Sequence, residues 1–260
     1  MAWSKAHYAA VGGAVVLFGL LYFGLSTRPP QWAAQERSRT LRGEQTGKES
    51  LVAAAKARLS SEERAAVLLL EQAVEAASSE EERAERLKTL SAWWFARNYR
   101  GVAGAVAEEV AETLPSDSAW SVAGATYYQA LQAETDNRLR DYYAQRSIQA
   151  FEKAASLAPD RVEHRVNIAL VYAEQPPADN PMRAVQLLRE LERQYPDGAP
   201  VYNALGRLAM KTGQWERAVE RLEKALQLDP ANPFTPCLLM QAYEKVGKPD
   251  KAAALADRCL

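Results

Sequence analysis

The chain has 260 residues, 48% of them hydrophobic and 25% charged, and its 32 Lys and Arg against 33 Asp and Glu give a formal net charge of -1. This balance excludes a collagen-like or wholly disordered chain and offers no basic excess for binding nucleic acid. Alanine occurs 48 times and isoleucine twice, which predicts an all-α fold because strands depend on β-branched residues. Two cysteines and two histidines are too few for a disulfide-built scaffold or a histidine metal cluster.

The first predicted element is an uncharged run from Tyr8 to Leu25. As a helix at about 1.5 Å per residue it would extend roughly 27 Å, close to a hydrocarbon core of about 30 Å. A buried core helix would keep a polar face, and a cleaved signal peptide would end in a small-residue cleavage site; this run has neither. We therefore predict that residues 1–27 form a signal-anchor transmembrane helix that meets the lipid bilayer through residues 8–25.

The charges around this run leave its orientation open. Lys5 precedes it, and four arginines follow it: Arg28, Arg37, Arg39 and Arg42. Counted alone, these charges place the C-terminal body in the cytoplasm, but large domains translocate largely regardless of charge.

A polar stretch at residues 28–49 opens with Pro29 and Pro30 and lacks apolar periodicity, which predicts a flexible tether. Helices begin after it. Ser60 and Glu63 have the spacing of a capping box ahead of an apolar run. We expect residues 50–83 to form a helical pair that covers one end of the structured body.

The rest of the chain repeats itself. Pro196 and Pro230 lie 34 residues apart, and each closes a predicted helix. Between them, two helices carry small and large apolar residues at fixed spacing: Tyr202, Leu205, Gly206 and Ala209, then Ala218, Leu222 and Ala225. The small residues predict a close crossing of the two helices. This pattern resembles the tetratricopeptide repeat.

The resemblance covers residues 84–260 and implies five helix–turn–helix units that stack into an α-solenoid, a curved superhelix. Their predicted bounds are 84–116, 117–161, 162–198, 199–232 and 233–260. The second unit needs extra residues, which we expect as lengthened helices. The third needs a longer turn, which we expect between Gln175 and Pro181.

Together with the N-terminal run, the array is similar to membrane-anchored tetratricopeptide proteins of bacterial envelopes. That likeness implies a single-pass protein of the bacterial inner membrane. It also implies a periplasmic body, with a cytoplasmic body as the alternative.

In the tetratricopeptide frame, the first helix of each unit lines a concave groove that binds a protein or peptide partner. The frame places six side chains of this sequence at groove positions: Tyr128, Asn203, Arg207, Lys211, Gln241 and Lys245. Asn203, Arg207 and Lys211 recur every four residues and would form a polar, cationic stripe suited to carboxylates. An ordinary solvated helix face is the alternative.

No pattern in the sequence indicates catalysis. Glu108 and Glu109 are adjacent and point apart on a helix, as solvated residues do. His164 has no cysteine or second histidine at ligand spacing, which favours a surface position. We predict no enzymatic activity, no cofactor, no metal ion and no small-molecule substrate.

The two cysteines allow two interpretations. In the repeat frame, Cys237 lies on the first helix of the last unit and Cys259 near the end of its second helix. Antiparallel helices bring such ends together, so a disulfide could clamp the C-terminus in an oxidising periplasm. Two free thiols are the alternative.

The combined pattern predicts a membrane-tethered interaction module, a scaffold or assembly accessory of an envelope complex. The first alternative is a permanent structural subunit of a multi-protein membrane complex. A third is a role in cytochrome maturation or thiol handling.

Overall fold

The computed structural model describes Phe18 and residues 47–259. The chain divides into two compact parts, residues 1–50 and 51–260. The described residues form twelve α-helices and one 3-10 helix, without strands, so the all-α prediction is confirmed. The helices are α1 (Lys48–Arg58), α2 (Ser61–Glu75), α3 (Glu80–Ala96), α4 (Arg100–Thr113), α5 (Asp117–Ala133), α6 (Asn137–Leu157), α7 (Val162–Glu174), α8 (Arg183–Gln194), α9 (Ala199–Lys211), α10 (Trp215–Leu228), α11 (Thr235–Lys245) and α12 (Pro249–Ala253), followed by the 3-10 helix at Ala256–Arg258.

Side-chain caps explain where several helices begin. The predicted capping box is present at α2: Ser60 Oγ accepts from the Glu63 N–H at 3.1 Å, and the Ser60 N–H donates to Glu63 Oε2 at 3.0 Å. Ser79 and Ser116 accept in the same way at the starts of α3 and α5. Each cap satisfies backbone donors that the first turn of a helix leaves unpaired.

From α3 onward the helices form consecutive pairs. The two helices of each pair pack together, and so do the first helices of successive units: α5 with α7, α7 with α9, and α9 with α11. This pattern, in which each unit meets its neighbours along the chain, is that of an α-solenoid.

Glycines allow the paired helices to cross closely. A Cβ at Gly206 on α9 would lie 2.6 Å from Leu222 Cγ on α10, and one at Gly124 on α5 would lie 2.9 Å from Phe151 Cδ1 on α6. Both distances are too short for carbon–carbon contact, so a side chain at either position would push the helices apart. The predicted close crossing in the unit 199–232 is confirmed.

Buried clusters continue along the array and hold the pairs together. Trp94 and Leu87 centre the first, Tyr127 and Phe151 the next, and Leu222 belongs to the last. The rings of Tyr143, Tyr127 and Phe151 lie against Gly101, Gly104 and Gly124 at the crossings.

The two unusually long units have the expected form. α5 and α6 have 17 and 21 residues, whereas α9 and α10 have 13 and 14. The turn that contains Gln175 to Pro181 separates α7 from α8.

The last unit differs from the repeat frame. Its second helix, α12, has only five residues, so Cys259 follows the 3-10 helix and does not lie near the end of a full second helix. The chain turns back after α12, and Cys237 and Cys259 are joined by a disulfide with their Cα atoms 4.8 Å apart. Leu255 packs beside the same cluster as Leu239 and Tyr243, which accounts for the early end of the helix.

Within the part of the chain that the structure describes, no helix is both long enough and apolar enough to cross a membrane. The predicted anchor and tether, residues 1–49, lie outside the described residues except for Phe18 and residues 47–49.

Candidate binding groove

The first helices α5, α7, α9 and α11 pack side by side, and their common face, called the groove below, carries most of the predicted site residues. The groove contains two neighbouring cavities, and both are lined by Arg207 on α9 and Leu170 on α7. Arg207 is half-buried. Because it is the charged one of the two shared residues, Arg207 is the centre of the candidate site.

The smaller cavity, of about 170 Å³, lies where α5, α7 and α9 meet. Its lining includes the predicted Tyr128, Arg207 and Lys211, together with Gln132 and Glu174. Burial raises the pKa of Tyr128, against the lowering effect of the nearby Arg207 charge. Tyr128 is therefore a neutral hydroxyl that can donate or accept a hydrogen bond at neutral pH.

The larger cavity, of about 710 Å³, lies between α7, α9 and α11. Arg207 and the predicted Asn203 line it, as do Asn167 and the side chain of Phe234, which is 73% exposed. Asn203 Nδ2 donates to Thr235 Oγ1 at 2.6 Å, which fixes the amide orientation. Amide groups beside a cation suit a peptide backbone and a carboxylate.

The sequence predicts Lys211 as a cation that is free to bind a ligand carboxylate, but in the structure it is already paired. Its Nζ donates to Glu174 Oε2 at 2.8 Å, and the same carboxylate pairs with Arg140 at 3.4 Å. Burial alone would raise the pKa of Glu174, but the bonds and charges of Lys211 and Arg140 hold it below its usual value. The carboxylate is therefore ionised at neutral pH and offsets the charge of Lys211.

Arg207 differs from Lys211 in this respect. Among the residues that the structure describes, it makes no ion pair with a carboxylate, and its neighbour is the Tyr128 hydroxyl. A guanidinium with free donors in a concave site can bind a carboxylate by two parallel hydrogen bonds.

The two remaining predicted residues lie apart from these cavities. Gln241 is exposed on α11, and Lys245 Nζ lies 5.9 Å above the centre of the Trp215 ring. The structure therefore brings together Tyr128, Asn203, Arg207 and Lys211, and it leaves Gln241 and Lys245 outside the lining of either cavity.

Sequence reasoning missed the contribution of α7. Asn167, Leu170 and Glu174 line the groove beside Arg207. They occupy one face of the first helix of the third unit, so applying the repeat frame to that unit would have found them.

Two expectations about single residues were wrong. Glu108 is not solvated: it is buried, accepts from Tyr127 Oη at 3.0 Å and from Arg146 Nε at 3.1 Å. His164 is not on the surface: only 1% of it is exposed, and its Nε2 lies 3.3 Å from Asp117 Oδ2. In both cases the hydrogen-bond partner lies on another helix, and the hydrogen bond to that partner takes the place of one to water.

The arrangement offers binding chemistry. Among the described residues, no group of three or more His, Cys, Asp and Glu side chains is placed to hold a metal ion. The described lining of the groove combines the Arg207 cation, amides, an exposed aromatic ring and the carboxylates of Glu163, Glu174 and Asp229, which are groups that a peptide-binding surface uses.

Helix pairs of this kind, with their first helices in contact, define an α-solenoid. Residues 199–232 match the tetratricopeptide repeat family model. This part of the chain is therefore a tetratricopeptide repeat, and it lies within the α-solenoid that the described helices form.

Several solved structures are similar in fold. A thermophilic tetratricopeptide-repeat protein of Thermus thermophilus matches at 17% identity with a TM-score of 0.49, over 68% of this chain and 90% of its own. MamA from Desulfovibrio magneticus matches at 18% identity with a TM-score of 0.39, over 67% of this chain and 92% of its own. The Cut9–Hcn1 hetero-tetramer of the APC/C matches at 16% identity with a TM-score of 0.47, over 74% of this chain and 35% of the matched chain. No curated protein sequence matches the chain.

Proposed function

We propose that this chain is a membrane-tethered adaptor whose groove binds an acidic segment of a partner protein and holds it for assembly of an envelope complex. The observation that carries the proposal is Arg207, a half-buried cation without a carboxylate partner among the described residues, at the junction of the two cavities. Tyr128 and Asn203 stand beside it as polar groups for the same segment.

The charge pattern around Arg207 supports an acidic ligand. Lys211 and Arg140 already share the Glu174 carboxylate. Glu163 and Asp229 line the larger cavity, but among the described residues neither forms an ion pair with Arg207, so its guanidinium is left for a ligand. A ligand carboxylate would pair with that guanidinium through bidentate hydrogen bonds, which are stronger than neutral ones.

The uncharged run at residues 8–25 supports the tether, and we place the anchor in the bacterial inner membrane. The disulfide between Cys237 and Cys259 supports a body on the periplasmic side, because such bonds persist in oxidising compartments. Protease added to intact spheroplasts should degrade the body. Degradation only after the membrane is opened would assign it to the cytoplasm.

The proposal is tested by affinity purification of the full chain from native membranes after cross-linking. The wild type should recover a stoichiometric partner, and Arg207→Gln should recover at least about tenfold less, which corresponds to about 1.4 kcal/mol. Arg189→Gln, a change at an exposed arginine of α8, is the matched control and should not reduce recovery. Equal recovery by both variants would refute the role of the groove.

A permanent structural subunit of a membrane complex is the second candidate function. Leu68 and Leu69 on α2 favour it, because they are 53% and 66% exposed and adjacent, as in a surface that another protein covers. Native gel migration after mild detergent extraction separates the two. A fixed large complex that survives Arg207→Gln would favour the subunit, whereas a complex lost with that change would favour the adaptor.

A further inference from the structure

A second concavity lies between α3 and α5, outside the two cavities of the groove. Whereas α5, α7, α9 and α11 pack against each other in turn, α3 and α5 stand on either side of this cleft, and α4 supplies Ala107 and Val110 to its lining. Its volume is about 850 Å³. That volume is in the upper part of the range for sites that enclose a ligand, about 300–1,000 Å³.

The cleft is apolar and nearly uncharged. Phe95 and Val122 line it and are 37% and 58% exposed. Of the described side chains in the lining, only Lys88 carries a charge, and its Nζ donates to Glu85 at 2.6 Å. A charged ligand segment would lose its hydration here without gaining a counter-charge.

We propose that this cleft binds the apolar face of an amphipathic helix from the partner protein. The charge argument selects an apolar occupant, since burying Phe95 and Val122 removes their surface from water. Small residues on both walls, Ala92 on α3 and Ala119 on α5, leave room for a third helix to approach closely. A helix presents such a stripe at positions i, i+3, i+4 and i+7.

The cleft continues into the groove along α5. This helix gives Ala125 and Gln129 to the cleft, and Tyr128 and Gln132 to the cavity that contains Arg207. The inference rests on the proposed function and specifies its ligand: an apolar helical part of the partner lies beside the acidic part that Arg207 binds.

Two labelled synthetic peptides test the inference. One carries leucines at i, i+3, i+4 and i+7 among glutamine and alanine, and the other has the same composition with the leucines scattered. Fluorescence anisotropy measures their binding to the full-length chain in phosphatidylcholine nanodiscs. The patterned peptide should bind at least about tenfold more tightly than the scattered one, a difference that a buried apolar face produces.

Variants locate the binding. Val122→Asp and, separately, Phe95→Gln should weaken the patterned peptide about tenfold. Leu157→Asp changes a side chain on α6 that is 51% exposed and outside the cleft, and it should have no effect. Far-UV circular dichroism checks that each variant keeps its helices.

Equal binding of the two peptides, or unchanged binding by Val122→Asp and Phe95→Gln, would overturn the inference. Binding that requires removal of residues 1–46 would also overturn it, because the chain's own apolar run would then be the occupant. So would preferential binding of the fluorescent fatty acid cis-parinaric acid. Failure of the proposed function gives a different result: recovery of the partner would be unaffected by Arg207→Gln, whether or not the patterned peptide binds more tightly.

Discussion

At the scale of single residues, buried charges on different helices tie the units together. Glu108 on α4 is 6% exposed and binds both Tyr127 on α5 and Arg146 on α6. Burial alone would lower the pKa of Arg146, but the Glu108 carboxylate holds it above its usual value. One carboxylate therefore joins two successive units.

Glu108→Gln should lower the free energy of unfolding by about 2 kcal/mol. Removing one partner of a buried pair costs more, about 3–5 kcal/mol, but the Arg146 side chain is 33% exposed and can be partly rehydrated. Urea unfolding measures the change. Glu112→Gln, at an exposed position of α4, is the control, and equal effects of the two variants would contradict the assigned role.

The Glu174 carboxylate should make stability depend on pH. Its pKa in the folded chain lies below the usual 4.5, so its contribution is present above that value and is lost as pH falls through the folded pKa. Glu174→Gln should cost about 1 kcal/mol at pH 7 and progressively less as the pH falls towards 3. Urea unfolding at both values tests this, with Glu244→Gln as the exposed control. A difference in unfolding free energy between wild type and Glu174→Gln that does not change with pH would contradict this prediction.

The sequence predicts single residues well only where the contact is local. The Ser60–Glu63 cap spans one turn of helix and follows from spacing alone. The burial of His164 could not be predicted, because it depends on Asp117, which is 47 residues away. The repeat frame likewise predicts Lys211 as a free cation, because its partner Glu174 lies on another helix.

At the scale of helices, close crossings set the geometry of each unit. Gly206→Ala should destabilise the chain by about 1–3 kcal/mol, because the added Cβ would lie 2.6 Å from Leu222 Cγ. This loss would exceed the helix-propensity gain of about 1 kcal/mol that alanine brings. Thermal unfolding measures the effect.

A second substitution gives the control for that prediction. Adding Leu222→Ala to Gly206→Ala removes the clash, so the double variant should lose less stability than the two single losses added together. Additive losses would show that Gly206 is not limited by Leu222.

The disulfide should hold the short C-terminal elements in place. A closed loop of 22 residues contributes about 3 kcal/mol in the chain-entropy model. Cys237→Ser combined with Cys259→Ser should therefore speed amide hydrogen exchange in α11 and α12 and leave α5 unchanged. Titration of the unreduced, denatured wild type should find no free thiol, and two free thiols would contradict the bond.

Helices and their pairing were predictable because they follow repeated local patterns. Gly206 and Pro230 mark a crossing and a helix end within one unit. The five-residue α12 was not predictable from the repeat frame, because the return of Cys259 to Cys237 and the packing of Leu255 decide where that helix ends.

At the scale of the whole molecule, the proposed function depends on the face formed by α5, α7, α9 and α11 binding a protein segment through Arg207. The repeat frame located four of the residues that line this face, and it missed the contribution of α7. The resemblance could not predict which cations on this face are paired, because that depends on contacts with carboxylates of other helices.

Photo-cross-linking in native membranes is the sharpest test of binding at this face. A benzoylphenylalanine in place of Gln132, exposed beside the Arg207 cavity, should yield one dominant cross-linked protein, and adding Arg207→Gln should abolish that product. The same probe in place of Glu220, exposed on the second helix α10, should not yield it. A product that forms equally from both positions, or that persists with Arg207→Gln, would contradict the account.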